Sequence, residues 1–193
     1  MELLFDNYYY EVASDRKAFF AFFSQNRAVV FGKTNDFHGS AIYSETEING
    51  LAQLRTNMGN VFELHLFIYQ NDTIIGWSFG IQKDVDTFYM VNTALFEPYR
   101  NKGIYTALLP KIIEILTEKG FQQIYSRHKA ANNQVIVPKL KQGFVITGFE
   151  ISDTFGILVH LTYFTNPIRR KVYEYRTGQI IADHEIKHLL GMD

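Results

Sequence analysis

The apolar residues of this chain recur with helical spacing in some segments and with strand spacing in others. Between Ser14 and Gln25 they recur every three or four positions, which predicts a helix capped by Ser14 or Asp15. The next segments are predicted to form a short strand, a loop and a second helix in turn: Ala28 to Phe31, Asn35 to Ser40 and Ile48 to Met58. The N-terminal third is therefore predicted to be mainly helical.

The middle of the chain alternates apolar and polar residues, which is the spacing of a strand with one buried face. Leu64, Leu66 and Ile68 share one face, and Asn71-Asp72 is a turn signal. Three strands are predicted with short loops between them: Glu63 to Tyr69, Thr73 to Ile81 and Thr87 to Phe96. Short connections between successive strands favour an antiparallel meander.

The C-terminal half changes to alternating helices and strands. Gly120 is a typical helix stop, and Pro110 lies inside the preceding helical pattern, where it predicts a local bend. The predicted elements are a helix, a strand, a helix and a closing hairpin: Ile104 to Lys119, Gln122 to Ser126, Asn132 to Lys141, and Phe144 to Ile151 with Ile157 to Phe164. Together the elements predict an α+β fold with a mixed, mostly antiparallel central sheet flanked by helices.

Composition narrows the class of protein. The 193 residues suit a single domain, and a net charge of −1 gives no reason to expect a nucleic-acid or membrane-surface binder. No apolar run approaches 18 residues, and the first residues carry no basic region ahead of an apolar one, so we expect neither a membrane span nor a signal peptide. The chain contains no cysteine, which excludes disulfides, thiolate metal sites and a cysteine nucleophile and favours a reducing cytoplasm.

The stretch Arg100-Asn101-Lys102-Gly103-Ile104-Tyr105-Thr106 joins a predicted strand to a predicted helix. Backbone amides at a helix start lack intrahelical partners, and the helix dipole favours an anion there. Gly103 allows close approach of a bulky anion, while Arg100 and Lys102 add positive charge. The pattern indicates a phosphate-binding loop. The alternative is an ordinary strand-to-helix turn with two solvated basic side chains.

Two motifs in order resemble the signatures of the GNAT superfamily of acyl-CoA-dependent N-acyltransferases. Arg100-x-x-Gly103-x-Tyr105 resembles the pyrophosphate loop Gln/Arg-x-x-Gly-x-Gly/Ala. The second motif, Asn132-x-x-Val135-Ile136-x-x-Lys139-x-x-x-Gly143-Phe144, resembles Asn-x-x-Ala-x-x-x-Tyr-x-x-x-Gly-Phe. The resemblance covers roughly Phe62 to Phe164 and implies a GNAT-like fold.

The resemblance implies an N-acetyltransferase that moves an acetyl group from acetyl-CoA to a primary amine by direct attack, without a covalent enzyme intermediate and without a metal. It places the main chain of Leu95 and Phe96 at the pantetheine arm and thioester, and Asn132 beside the cofactor. The implied pyrophosphate contacts are Arg100, Asn101, Lys102, Gly103, Ile104, Tyr105 and Thr106. Within one domain, residues 1–60 are then the acceptor side, 62–164 the acyl-CoA core and 166–193 a C-terminal extension.

Two departures from the family pattern affect the chemistry. Tyr105 replaces Gly or Ala, so its side chain must turn away from the phosphates, and it can equally be a packing tyrosine. Lys139 stands where many members place the tyrosine that protonates the leaving thiolate, and an ammonium group can do the same. It can also be a surface lysine or a partner for a CoA phosphate. Candidates for a base are His128 and Glu63, each of which also has a purely structural interpretation. Asn132 can likewise be simply a helix cap.

Other interpretations remain beside this one. His184-Glu185-Ile186-Lys187-His188 matches the zinc motif His-Glu-x-x-His, but no further ligand can follow it, and a terminal amphipathic helix with Ile186, Leu189 and Leu190 inward fits as well. Residues 166–193 either pack on the domain or support a homodimer. The amine acceptor is a small molecule or a protein. A different class of function is a catalytically silent acyl-CoA-binding sensor or scaffold.

Overall fold

The computed structural model describes residues 1–32 and 42–192, and the predicted loop from Asn35 to Ser40 lies outside them. The strands are β1 Glu2–Phe5, β2 Tyr8–Val12, β3 Glu63–Gln70, β4 Thr73–Gln82, β5 Thr87–Leu95, β6 Gln123–Lys129, β7 Val145–Ser152 and β8 Gly156–Phe164. The helices are α1 Arg16–Phe31, α2 Glu45–Thr56, α3 Ile104–Glu118, α4 Asn133–Lys141, α5 Pro167–Arg176 and α6 His184–Leu189.

The strands form one eight-stranded sheet in the order β1-β2-β3-β4-β5-β6-β8-β7. Every neighbouring pair is antiparallel except β5 and β6, because α3 carries the chain back between these two strands so that they run in the same direction. The predicted mixed, mostly antiparallel sheet with flanking helices is confirmed.

The N-terminal segment differs from the prediction in two ways. β1 and β2 were not predicted, although Tyr8 and Tyr10 alternate with exposed or half-buried neighbours and lie buried against β3. The strand predicted at Ala28 to Phe31 is wrong, since these residues are the last turns of α1. The β-branched run favours a strand locally, but α1 is capped by Asp15 and its apolar stripe packs along the sheet, so the helix continues.

Helices cover the sheet on both faces. The helix α3 packs its buried residues, including Leu108 and Ile112, against one face. The helix α1 covers the other face with an aromatic cluster built around Phe19 and Trp77, both fully buried. Edge-to-face ring contacts tie this cluster together, among them Phe23 to Trp77 at 5.6 Å. The two cores hold the central strands, and thus the ends of β5 and β6, in fixed positions.

The predicted helix at Ile48 to Met58 is confirmed as α2, and a capping box between Ser44 and Glu47 begins it. Its apolar stripe is not buried, since Leu54 is 63% exposed. No helix in the described ranges combines the length and apolar character required to cross a bilayer.

The C-terminal extension packs on the domain. Arg169 at the start of α5 pairs with Asp86 at 2.6 Å, and the ring of Tyr173 lies 5.2 Å from that of Phe164 on β8. In α6 the predicted inward residue Ile186 is fully buried, whereas Leu189 is 55% exposed. The predicted terminal helix is therefore confirmed with a narrower apolar face.

Candidate active site where β5 and β6 separate

The two parallel strands of the sheet pair over only a short distance. Their register joins Thr87 to Gln123, Phe88 to Ile124 and Tyr89 to Tyr125, and stops there. Just beyond, β5 carries an extra residue, because Met90 pairs with Gly80 and Asn92 with Phe79 on β4. The bulge bends β5 away from β6, and a cleft of about 1550 Å³ opens between the two strands.

The main chain of β5 offers polar groups to this cleft. The amide of Phe96 donates to the carbonyl of Ile75 at 2.9 Å, so the preceding residue, Leu95, must direct its amide and carbonyl away from β4. The same alternation turns the backbone of Thr93 toward the cleft. Leu95 thus turns its amide toward the cleft, whereas the amide of Phe96, the other predicted contact, is bonded to β4. Thr93 was missed, because its direction depends on the register with β4.

The segment after β5 presents a row of amides to the cleft. A short 3₁₀ turn, Glu97–Tyr99, leads into a loop in which Asn101 and Gly103 both have left-handed φ values, 60° and 79°. The first helical hydrogen bond of α3 runs from the amide of Ala107 to the carbonyl of Gly103 at 3.0 Å. The amides of Asn101 to Thr106 therefore have no backbone partner in the described ranges, and Gly103 supplies no cap. Such a concave row of amides at a helix start binds anions.

Arg100, a predicted pyrophosphate contact, lines the cleft and also makes two bonds that were not predicted. Its guanidinium donates to the carbonyl of Leu95 at 3.0 Å and to that of Val30, at the end of α1, at 2.9 Å. These bonds fix the loop to β5 and α1, so the side chain is occupied by protein carbonyls. Lys102 is exposed, and its Nζ lies 5.5 Å from the centre of the Tyr99 ring. Lys102 is thus the cation of this loop that is positioned to meet a bound anion.

The first turn of α3 separates packing side chains from groups that face the cleft. Ile104 is buried in the core, and the ring of Tyr105 packs against the same core. Burial raises the pKa of the Tyr105 hydroxyl far above its usual value. The tyrosine therefore turns inward, while its amide remains in the row at the helix start. The Thr106 side chain is exposed and lines the cleft.

Lys139 lies at the base of the cleft and is 1% exposed. Its Nζ is 2.7 Å from Ser126 Oγ, 3.3 Å from Met90 Sδ and 4.6 Å from the centre of the Phe144 ring. No carboxylate of the described chain pairs with it. Loss of hydration lowers the pKa of Lys139 from 10.5 to about 7. The surface interpretation of this lysine is therefore wrong.

His128 is connected to Lys139 through the same serine. Its Nε2 lies 3.0 Å from Ser126 Oγ, and its ring lines the cleft. Burial, and then the nearby charge of Lys139, lowers the pKa of His128 to about 3, so the imidazole is neutral at pH 7. Ser126 is fully buried and was not among the predicted residues, because only the register of β6 against α4 places it between the other two.

The other predicted residues divide between the cleft and a separate pocket. Asn132 begins α4 without capping it through its side chain, and this exposed side chain lines the cleft. Glu63 lies outside the cleft. Its carboxylate binds Arg16 at 2.6 Å and lies 3.2 Å from His65, at a pocket of about 510 Å³ near the N-terminus of α1. The prediction of Glu63 as a base at the acyl site is therefore not supported by its position.

Residues 34–144, more than half of the chain, match the family model for the acetyltransferase (GNAT) family. The chain belongs to the GNAT family. The predicted resemblance and the predicted class, an acyl-CoA N-acyltransferase, are confirmed. No protein of curated function matches the GNAT chain in sequence.

Solved structures share the fold at low identity. The chain is similar to yncA of Salmonella typhimurium, solved with its cofactor acetyl-CoA, at a TM-score of 0.60 and 14% identity over 83% of this chain and 95% of the other. The chain is also similar to the Escherichia coli ribosomal-protein-S18-alanine N-acetyltransferase, at a TM-score of 0.59 and 16% identity over 81% of this chain and 93% of the other. A chain of the NatC complex bound to Gag peptide and CoA is similar at a TM-score of 0.57 and 13% identity, over 83% of this chain and 100% of that one.

The rival zinc motif lies on a short C-terminal helix and joins no candidate metal-binding group in the described part of the chain. The rings of His184 and His188 stack 6.4 Å apart on the short helix α6. Within residues 1–32 and 42–192 no group of three or more histidine or acidic side chains is arranged to hold a metal ion. Lys171 pairs with Glu185 at 2.6 Å, so the acidic residue of the motif serves as an ion-pair partner.

Proposed function

We propose that this GNAT protein transfers an acetyl group from acetyl-CoA to a primary amine by direct attack of the amine on the thioester. One observation supports the proposal: the amides of Asn101 to Thr106, which have no backbone partner among the described residues, line the same cleft as the buried Lys139. The row of amides can bind the diphosphate of CoA, and Lys139 can supply the proton that the leaving thiolate needs.

Different residues around the cleft are assigned to different parts of acetyl-CoA. The amides of Asn101 to Thr106 hold the diphosphate, and the exposed Lys102, whose Nζ lies over the Tyr99 ring, adds a positive charge. The outward amides of Thr93 and Leu95 lie where a strand-like pantetheine arm and the thioester carbonyl can accept hydrogen bonds. Asn132 lies across the cleft and offers its amide side chain.

The chemistry needs no covalent enzyme intermediate. The chain has no cysteine, and positioning a neutral amine beside a thioester already supplies a large part of the rate enhancement. Lys139 then protonates the departing thiolate. Its lowered pKa brings it near that of a thiol, about 8.5, so proton transfer between the two is nearly balanced.

The acceptor enters beside α1. Phe23 and Phe31 of α1 and Phe79 of β4 give that side of the cleft an apolar lining, and Asn92 and Arg127 also line the cleft with polar groups. Residues 1–60 supply part of this lining, which supports their proposed assignment to the acceptor side. Two of the similar structures act on or bind a ribosomal protein and a Gag peptide. Protein N-termini therefore belong among the acceptors to be tried. The cysteine-free chain suits a reducing cytoplasm, and a homodimer is compatible with the fold.

The test is release of CoA thiol from acetyl-CoA in the presence of amino acids, polyamines, small aromatic amines and short peptides with free N-termini. We expect release that depends on one acceptor class, with the acetylated product found by mass spectrometry. Binding of acetyl-CoA at micromolar affinity without release for any acceptor would instead favour the silent sensor or scaffold.

A further inference from the structure

We propose that Ser126 and His128 form a proton relay that carries the proton of the attacking amine to Lys139. This inference rests on the proposed acetyl transfer and deepens it. Two contacts support it: Lys139 Nζ lies 2.7 Å from Ser126 Oγ, and Ser126 Oγ lies 3.0 Å from His128 Nε2. Both distances are within hydrogen-bond range, so the three groups form a continuous chain.

The chain of hydrogen bonds is enclosed at one end and open at the other. Lys139 and Ser126 are 1% and 0% exposed, whereas His128 is only partly buried and lines the cleft. Since Nε2 is engaged with Ser126, Nδ1 is the ring nitrogen left to meet an acceptor. The relay therefore has an entrance at His128 and its end at Lys139, which itself lines the cleft.

The surroundings leave no competing acid or base in this chain of contacts. On β5 the neighbour of Lys139 is Met90, and after α4 it is Phe144, neither of which titrates. Among residues 1–32 and 42–192, His128 on β6 is the one titratable group joined to Lys139 through Ser126. Arg127 bonds to Tyr89 and to Glu150, and none of these three side chains forms a hydrogen bond to the relay among the described residues.

The proposed acetyl transfer accounts for every bond and every proton that changes. The amine nitrogen forms a bond to the thioester carbon, and the carbon–sulfur bond breaks with its electron pair remaining on sulfur. The amine proton passes to His128 Nδ1, the Nε2 proton to Ser126 Oγ, and the serine proton to the neutral Lys139 amine. Lys139 then gives one proton to the CoA sulfur. The net change is one proton moved from nitrogen to sulfur, and exchange with water in the open cleft restores the starting tautomer of His128.

The arrangement also explains how a weakly basic histidine can take part. Burial lowers the pKa of His128 to about 3, so a stable imidazolium does not form at pH 7. A relay does not require one, because the ring releases the Nε2 proton as it accepts another at Nδ1. Lys139, with its pKa near 7, is the group that holds the proton between the two halves of the reaction.

The experiment compares the wild type with Ser126→Ala, His128→Ala and the control Thr162→Val. Thr162 is a buried hydroxyl residue on β8 that bonds Thr147 and lies outside the cleft lining, so its replacement matches the loss of a buried hydroxyl. We expect kcat to fall at least about 100-fold in both relay variants, with CoA affinity changed less than about twofold. We expect the control to keep its kcat within about twofold.

Two readouts separate a relay from a structural role. Added imidazole should restore part of the rate of His128→Ala but not of Ser126→Ala. The rate of the wild type in mixtures of H₂O and D₂O should show a curved dependence on deuterium content, because several protons move, and Ser126→Ala should show a straight one. If Ser126→Ala fails to fold, the imidazole response of His128→Ala still decides the question.

The outcomes are distinct. Wild-type turnover with equal rates for Ser126→Ala or His128→Ala overturns the relay and leaves the acetyl transfer standing. A slow His128→Ala that imidazole does not accelerate also overturns it, since the ring then acts by packing alone. If the wild type binds acetyl-CoA and releases no thiol for any amine, the proposed function fails and the relay fails with it.

Discussion

Replacing Lys139 by methionine should stabilise the protein near neutral pH and remove a distinctive pH dependence. Lys139 is 1% exposed and has no carboxylate partner among the described residues, so its ammonium form is costly to bury. The difference between a pKa of 10.5 in the unfolded chain and about 7 in the folded one corresponds to about 5 kcal/mol. Methionine matches the length of the stem and needs no hydration.

The sign of the effect follows from where the proton is held. The unfolded chain keeps the lysine proton up to about pH 10.5, but the folded chain keeps it only to about pH 7. The full cost therefore applies below pH 7 and declines as the pH rises from 7 to 10.5. The substitution also removes the hydrogen bond between Lys139 and Ser126, and this loss reduces the gain in stability by about 1–3 kcal/mol. We expect Lys139→Met to raise the free energy of unfolding by about 2–4 kcal/mol at pH 6.5.

The free energy of unfolding of the wild type and of Lys139→Met is measured by urea titration at pH 6.5, 7.5, 8.5 and 9.5, with circular dichroism as the signal. Between pH 7.5 and 9.5 the Lys139 contribution to wild-type stability should rise by about 2–3 kcal/mol, a rise that Lys139→Met lacks. The control is Lys141→Met, an exposed lysine on the same helix, which should follow the wild type. The range ends below pH 10 because the ionisation of unfolded tyrosines then adds its own slope. Parallel curves for the wild type and Lys139→Met would refute a buried, unpaired ammonium.

Three substitutions test the loop between β5 and α3, and a chelator tests the rival metal site. Gly103→Val should abolish CoA binding in a calorimetric titration while the fold is kept, whereas Gly178→Val, which has the same left-handed φ and open space, should bind CoA normally. Arg100→Ala should lower the free energy of unfolding by about 1–3 kcal/mol, because two carbonyls lose their donor. Lys102→Ala should leave stability unchanged and weaken CoA binding in a manner that added salt diminishes. A chelator should leave thiol release unaffected, since the two histidines of α6 lie apart from any metal-binding group in the described ranges.

Local features of the sequence predicted the fold well wherever the determining contacts are close along the chain. The loop between Phe96 and Thr106 is such a case, because a strand end, a glycine with positive φ and a helix start follow one another there. Periodicity likewise located α2, α3 and the hairpin of β7 and β8. These elements differ from their predicted bounds by a few residues.

The errors share a cause in contacts between distant segments. Arg100 was predicted as a phosphate ligand, but it binds the carbonyl of Val30, 70 residues earlier. The last turns of α1 were predicted as a strand, and the packing that keeps them helical comes from the aromatic face of β3 and β4. A surface position was one of the interpretations left open for Lys139, because lysine is rarely buried, and only the packing of α4 against β5 and β6 excludes it. In each case the deciding neighbour is invisible to a pattern of local spacing.

The replacement of tyrosine by Lys139 in the family motif becomes understandable from the same burial. Burial raises the pKa of a tyrosine, as at Tyr105 and at Tyr125, where it reaches about 12, and thereby weakens it as an acid. Burial moves a lysine in the opposite direction, toward the value of a thiol. In a site with no carboxylate among the described neighbours, a lysine therefore gains proton-donating power from the dry surroundings in which a tyrosine loses it. The free energy that destabilises the folded protein at Lys139 is the same free energy that makes its ammonium group a ready proton donor at neutral pH.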